Sequence, residues 1–350
     1  MNKEIRIGQD IISKKTPCYF IAEMSANHNM DFSRAKQIIK EAANAGANAV
    51  KLQTYTADTI TIDCDNPEFQ TQKGLWEGMT LYQLYQKAYT PWEWQKDLMA
   101  YANELGMECF SSPFDLTAVD FLEELNVKAY KVASFEINDI PLIRKIAKTG
   151  KPVIISTGIA HLADIELALK TCLEEGNDKV ILLKCTSAYP TPYGDMNLKL
   201  IPNMQETFEC ICGLSDHSMG SEVAVASVAL GAKVIEKHFT LRREDGGCDS
   251  AFSMEPEEFA SMVTQVRHVE QALGKATYQL SEKQEEARHG SRSLYIVEDV
   301  KQGEVFTENN VRSIRPGCGM HTRHWEEILG KAANCDIKKG TPLAWKYVKM

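Results

Sequence analysis

From Tyr19 onward the chain alternates between two periodicities. Short runs of apolar and β-branched residues at 19–25, 49–55, 108–114, 129–135, 152–158, 180–187, 209–217 and 233–240 predict eight strands. Between them, apolar positions recur at helical spacing, as in 32–45, 92–105, 116–125, 141–148, 162–174 and 221–230, with a last helix at 256–273. Eight strand–helix units in succession predict an α/β fold, a (β/α)8 TIM barrel with its active site at the carboxyl ends of the strands. An open doubly wound sheet would show the same alternation. Its dinucleotide fingerprint is missing, however, because Glu23-Met24-Ser25-Ala26-Asn27-His28 follows the first strand instead.

After Leu273 the pattern changes. Residues 275–290 are polar and charged and read as a linker, which makes 1–274 the barrel domain and 291–350 a small β-rich domain. That last segment contains an internal repeat, Asp299-Val300-Lys301-Gln302-Gly303 echoed by Asp336-Ile337-Lys338-Lys339-Gly340. A domain of this size is marginal alone and is expected to pack on something. Within the barrel, the insertion from Thr56 to Leu81 carries Asp63, Asp65, Gly74 and Trp76. It stands on the catalytic face, where it either shapes substrate access or is a plain surface excursion.

Polar residues at the strand ends carry the chemistry, since a strand buried on both faces should otherwise be apolar throughout. In order they are Glu23, Lys51 and Gln53, Ser112, Lys131 with Ser134 and Glu136, Ser156, Ser187, Ser215 with Asp216 and His217, and Glu236 with His238. Ser112, Ser156 and Ser215 each also fit a helix cap. Together with Lys51 and Lys131, these hydroxyls suit a phosphate dianion. Lys131 and Ser134 differ in strand parity, so both reach the mouth only through a bend or bulge. His217 and His238 end consecutive strands joined by a small-residue helix, which puts two imidazoles within reach of one divalent ion; a strand-end histidine satisfied by backbone is the competing reading.

Composition narrows the classes. The chain has 350 residues, 44% hydrophobic and 25% charged, as in a soluble globular protein. A net charge of −9 and the lack of a basic-aromatic patch argue against nucleic acid as a partner. No apolar run of spanning length and no leader-like amino terminus occur, so neither membrane insertion nor secretion is expected, and the expected location is cytoplasmic. Ten scattered cysteines without a C-x-x-C pair, several within apolar runs, read as reduced core thiols.

These motifs in this order resemble the sialic acid synthase family along nearly the whole chain. The matching residues are Ala22-Glu23 with Asn27-His28, Lys51-Leu52-Gln53-Thr54, Ser112-Pro113-Phe114, Tyr130-Lys131 with Ser134, Ser156-Thr157-Gly158, Cys185-Thr186 with Tyr189-Pro190-Thr191, Gly213-Leu214-Ser215-Asp216-His217, Glu236-Lys237-His238-Phe239 and Arg315-Pro316. Within the family, residues 23–28 and 74–94 are similar to the pseudaminic branch; Ser187 stands where the neuraminate branch tends to have Asn.

The resemblance implies a barrel followed by a small antifreeze-like (SAF) domain. It also implies a homodimer in which each SAF domain caps the partner's barrel. The implied reaction condenses phosphoenolpyruvate with an open-chain N-acetylated amino sugar, in the pseudaminic branch 2,4-diacetamido-2,4,6-trideoxy-L-altrose, and releases phosphate. A divalent metal (Mn2+, Mg2+ or Co2+) would sit on His217 and His238, with Glu23, Glu136 and Lys131 as catalytic residues. Lys51, Gln53, Ser112, Ser134, Ser156, Ser187, Tyr189, Ser215, Asp216 and Asp249 would bind substrate, and Arg315 would reach the sugar from the partner. The product would feed bacterial surface glycans or flagellin. Alternatives are a neuraminate or legionaminate synthase, a Schiff-base aldolase using Lys131, and a glycan-binding protein on a decayed barrel.

Overall fold

The computed structural model describes residues 1–71 and 77–349, and it divides into two compact units, 1–274 and 275–350. The first is a closed barrel. Its strands are β3 (Tyr19–Glu23), β4 (Ala49–Thr54), β5 (Glu108–Pro113), β6 (Tyr130–Val132), β7 (Val153–Ser156), β8 (Val180–Cys185), β9 (Ile211–Asp216) and β10 (Val234–His238). They pair in parallel in chain order, and β10 closes the ring on β3, with Glu23 opposite His238. Nearly every residue in these strands is buried, as expected of strands covered on both faces.

The helices turn their apolar stripes inward and are started by side chains that satisfy their free N–H groups. Asp31 accepts from Ser33 N and Arg34 N to open helix Phe32–Asn44, whose Ala35, Ile38, Ile39 and Ala42 are buried. Asp115 and Asp139 do the same for Leu116–Glu124 and Ile140–Lys148. Among the described residues, helices that the sequence did not anticipate include Leu200–Thr207 between β8 and β9, and Ala57–Ile60 and Leu81–Ala88 in and just after the insertion. Gly74 and Trp76 lie outside the described residues.

A hairpin that the sequence reading missed precedes the barrel. β1 (Glu4–Ile7) pairs antiparallel with β2 (Asp10–Ser13) across Gly8, whose φ of +56° suits a tight turn. Ile5, Ile7 and Ile12 join the barrel core. Asn48, just ahead of β4, donates to Asp10, and Asn2 N donates to Asp178 O just ahead of β8. The hairpin therefore closes the amino end of the barrel and leaves the carboxyl end open to ligands.

In the second unit, helix Glu282–Ala287 leads to β11 (Ser293–Ile296), which pairs antiparallel with β12 (Val311–Ile314). Leu294, Ile296, Phe306, Val311, Ile328 and Leu343 form its core. The repeat pairs with itself reciprocally. Val300 and Ile337 exchange backbone hydrogen bonds, Lys301 contacts Asp336 at 3.0 Å, and Lys338 contacts Asp299 at 2.7 Å. No helix among the described residues is long and apolar enough to cross a membrane.

Candidate active site

Strand parity decides which residues reach the barrel axis. β9 and β10 pair with Ser215 opposite Glu236. Ser215 Oγ donates to Glu236 Oε1 at 3.1 Å, and Lys131 Nζ stands 3.8 Å from the same oxygen. Lys131 also donates to Ser156 Oγ at 2.7 Å. On the other side, Lys51 forms an ion pair with Glu23 and donates to Ser112 Oγ at 3.3 Å. Two ammonium and two carboxylate groups, all buried, thus face one another inside the barrel.

Charges taken out of water at this density cost several kcal/mol each unless they compensate one another. Here they do so only in part. Burial raises Glu23 to about 7 against the pull of Lys51, and burial also lowers the Lys131 ammonium. Glu236 goes the other way, because Lys131, Lys51 and His217 outweigh its burial and hold it below the usual carboxylate range. Both oxygens of Glu23, one of them in ion-pair contact with Lys51, and one oxygen each of Glu136 and Glu236 lack a hydrogen-bond partner among the described residues. Buried polar atoms left open in this way await a ligand. Glu236 was counted with the polar strand ends but given no specific role, although it shares parity with His238 on β10.

The parity conflict at Lys131 and Ser134 is resolved because β6 ends at Val132. A 3-10 turn, Ser134–Glu136, then swings Ser134 toward the mouth. Ser134 Oγ accepts from Ser187 Oγ at 2.9 Å and from Ile159 N at 3.1 Å. Gly158 makes this convergence possible: a Cβ there would collide with Ser187 Oγ and lie 2.6 Å from Ser134 Oγ. Ser134 and Ser187 thus form a hydroxyl pair beside the strand ends, the kind of donor an anion takes, with the Ile159 N–H already spent on Ser134 Oγ.

His217 and His238 stand side by side with ring centroids 5.3 Å apart. Tyr189 lies 4.4 Å from His217, and Phe252 lies 4.9 Å from His238. His217 Nδ1 is 3.1 Å from the Thr186 carbonyl, which can only accept, so Nδ1 carries a proton. Burial lowers this imidazole, but Cys185 and the Thr186 carbonyl outweigh it and raise His217 above its ordinary value, so Nε2 takes a metal only on giving up a proton. His238 Nδ1 is buried with no partner among the described residues. Burial, with the surrounding cations second, holds His238 well below its usual pKa, in the neutral form that ligates metals. No group of three or more His, Cys, Asp or Glu poised around a metal occurs among the described residues. The two imidazoles nevertheless fit a divalent ion that draws its remaining ligands from substrate and water.

Asp216 alternates with Ser215 and His217 and so faces the helix layer, where it pairs with Lys237 at 2.7 Å with both side chains buried. Asp249 does lie near the first loop, accepting from Ser25 Oγ. Glu136 is part-buried and raised to about 7 chiefly by burial, opposed by Lys131. Gln53 shares the parity of Lys51 at the end of β4. Arg315 is exposed on the second unit.

The NeuB family profile matches residues 38–278 and the SAF domain profile matches residues 291–349. The chain belongs to the NeuB family. Its relatives in that family include a pseudaminic acid synthase of Campylobacter jejuni, 46% identical over 97% of this chain and 98% of the relative. Another, from Helicobacter pylori, is 43% identical over 94% and 97%. The crystal structure of an N-acetylneuraminic acid (sialic acid) synthetase from Leptospira borgpetersenii, in complex with citrate, aligns with a TM-score of 0.73. That match is at 32% identity and covers 82% of this chain and 95% of the other. As a NeuB-family member the chain is an enzyme of the pseudaminic and sialic acid synthase type.

Proposed function

We propose that the chain is a pseudaminic acid synthase that condenses phosphoenolpyruvate with 2,4-diacetamido-2,4,6-trideoxy-L-altrose. The observation that carries this reading is the buried cluster of Lys51, Glu23, Lys131 and Glu236 beside two imidazoles, in a chain 46% identical to a pseudaminic acid synthase. Lys131, Ser134, Ser156 and Ser215, with Lys51 and Ser112, hold the phosphate and carboxylate of phosphoenolpyruvate. C3 of the enol attacks the sugar aldehyde, a carbon–carbon bond forms, and positive charge develops at C2. Glu23 or Glu136 stabilises that charge. Water then adds to C2, and the tetrahedral product expels phosphate. His217 and His238 would hold a divalent ion, Mn2+ or Mg2+, whose chemistry when bound would be Lewis-acid polarisation of the sugar carbonyl.

The reading extends to a homodimer in which Arg315 of one SAF domain meets the sugar at the partner's barrel. It is supported by apolar side chains exposed in the segments after β5 to β8: Leu116, Phe135, Ile159, Leu162 and Tyr193. Such a rim suits a covering surface.

A neuraminate or legionaminate synthase is the second reading, with the 32% identity to the Leptospira enzyme behind the neuraminate form. Phosphate release with Mn2+ present, offering the altrose and N-acetylmannosamine side by side, separates the two. Turnover with the altrose alone is expected. Turnover with N-acetylmannosamine alone would move the chain to the neuraminate branch, and silence with both would leave a legionaminate synthase or a non-catalytic barrel.

A further inference from the structure

We propose that Asp216 and Lys237 are positioning residues: a buried clamp behind the barrel wall that fixes His217 and His238 relative to each other and so sets the affinity for a divalent ion. The inference rests on the reading of these histidines as metal ligands. Asp216 and Lys237 sit directly opposite each other on β9 and β10, each one residue from a histidine. Their side chains are 0% and 1% exposed and meet at 2.7 Å. The same ammonium donates to Ser218 O at 2.7 Å, while Asp216 Oδ1 accepts from Ser218 N at 2.8 Å and Ser218 Oγ at 2.7 Å. Both neighbours of His217 in the chain are therefore tied to the residue that precedes His238.

Stability does not account for the pair. A buried ion pair repays its desolvation poorly, and apolar residues of similar shape are often no worse. Position does account for it. His217 has its own anchor in the Thr186 carbonyl, whereas His238 Nδ1 bonds to nothing among the described residues. The His238 ring is therefore located by packing against Phe252 and by its strand, and the clamp holds that strand in register with the one bearing His217. Asp216 also neutralises the ammonium that would otherwise stand behind two metal-binding imidazoles.

The test is the Mn2+ dissociation constant of the purified full chain, read from the electron paramagnetic resonance of free Mn2+. Asp216→Asn is expected to weaken binding roughly 10- to 100-fold, as loss of outer-shell support does elsewhere, with KM for phosphoenolpyruvate changing much less. Adding Lys237→Met restores neutrality, and binding should stay weak. A return to reference affinity in the double variant would show that charge, not position, was at work and would overturn the proposal. Ser218→Ala removes one hydroxyl and no charge, and decides the matter if Asp216→Asn fails to fold; unchanged Mn2+ affinity in either single variant overturns it. His238→Ala separates the two claims. If it binds Mn2+ as the reference does, the ligand assignment itself falls; if it loses Mn2+ while Asp216→Asn retains it, only the clamp falls.

Discussion

Glu136 concentrates the chemistry of this site in one side chain. Its carboxyl is raised to about 7, first by burial and against Lys131, and one of its oxygens has no partner among the described residues. If its anion stabilises the charge at C2, kcat/KM should rise with pH through about 7, and Glu136→Gln should remove that limb of the profile. Stability should respond in the opposite sense. A carboxyl whose folded pKa exceeds its unfolded value binds more protons when folded, so stability falls as pH climbs from the ordinary glutamate range through about 7. Scanning calorimetry should then find Glu136→Gln melting above the reference at pH 8, with the gap closing toward pH 5. A gap independent of pH would show that the burial is not felt as a titration.

At the scale of elements, two glycines do work that a methyl group would undo. Gly213 in β9 lies against β10: a Cβ would strike the Val234 carbonyl and sit 2.8 Å from Leu183 Cδ2. Backbone cannot yield cheaply there, so Gly213→Ala should lower the melting temperature by more than about 5 °C or leave the protein insoluble. Gly158→Ala should leave the fold intact but crowd Ser134 and Ser187, raising KM for phosphoenolpyruvate about tenfold or more in steady-state assays; an unchanged KM would remove that cradle from the site.

Parity explains what the sequence revealed of these elements and what it concealed. The eight strands were legible because their first halves are mostly apolar while polar residues gather toward their carboxyl ends, such as Lys51, Ser156 and His238. Asp216 sits between two mouth residues and was read with them, whereas alternation turns it to the face where it meets Lys237. Ser134 could be placed only once β6 was seen to stop at Val132. The hairpin of β1 and β2 escaped because two four-residue strands have too short a period to stand out, and its Ile5, Ile7 and Ile12 make sense only against a barrel end.

For the whole molecule the test is association. Light scattering is expected to give twice the 39.2 kDa of one chain. Phe135→Asp with Leu162→Asp, which charges the exposed rim, should shift it toward the single-chain mass. Arg315→Ala should raise KM for the sugar at least tenfold more than KM for phosphoenolpyruvate; equal effects would sink the capping role.

The second unit carries its own arithmetic of association. Asp299 meets Lys338 and Asp336 meets Lys301, each half-repeat completing the other. Such a unit behaves as a two-fold dimer whose halves are covalently joined, held together at an effective concentration that dilution cannot lower. Shortening the chain before Asp336 would therefore leave one half of that pair without its mate, rather than a smaller domain.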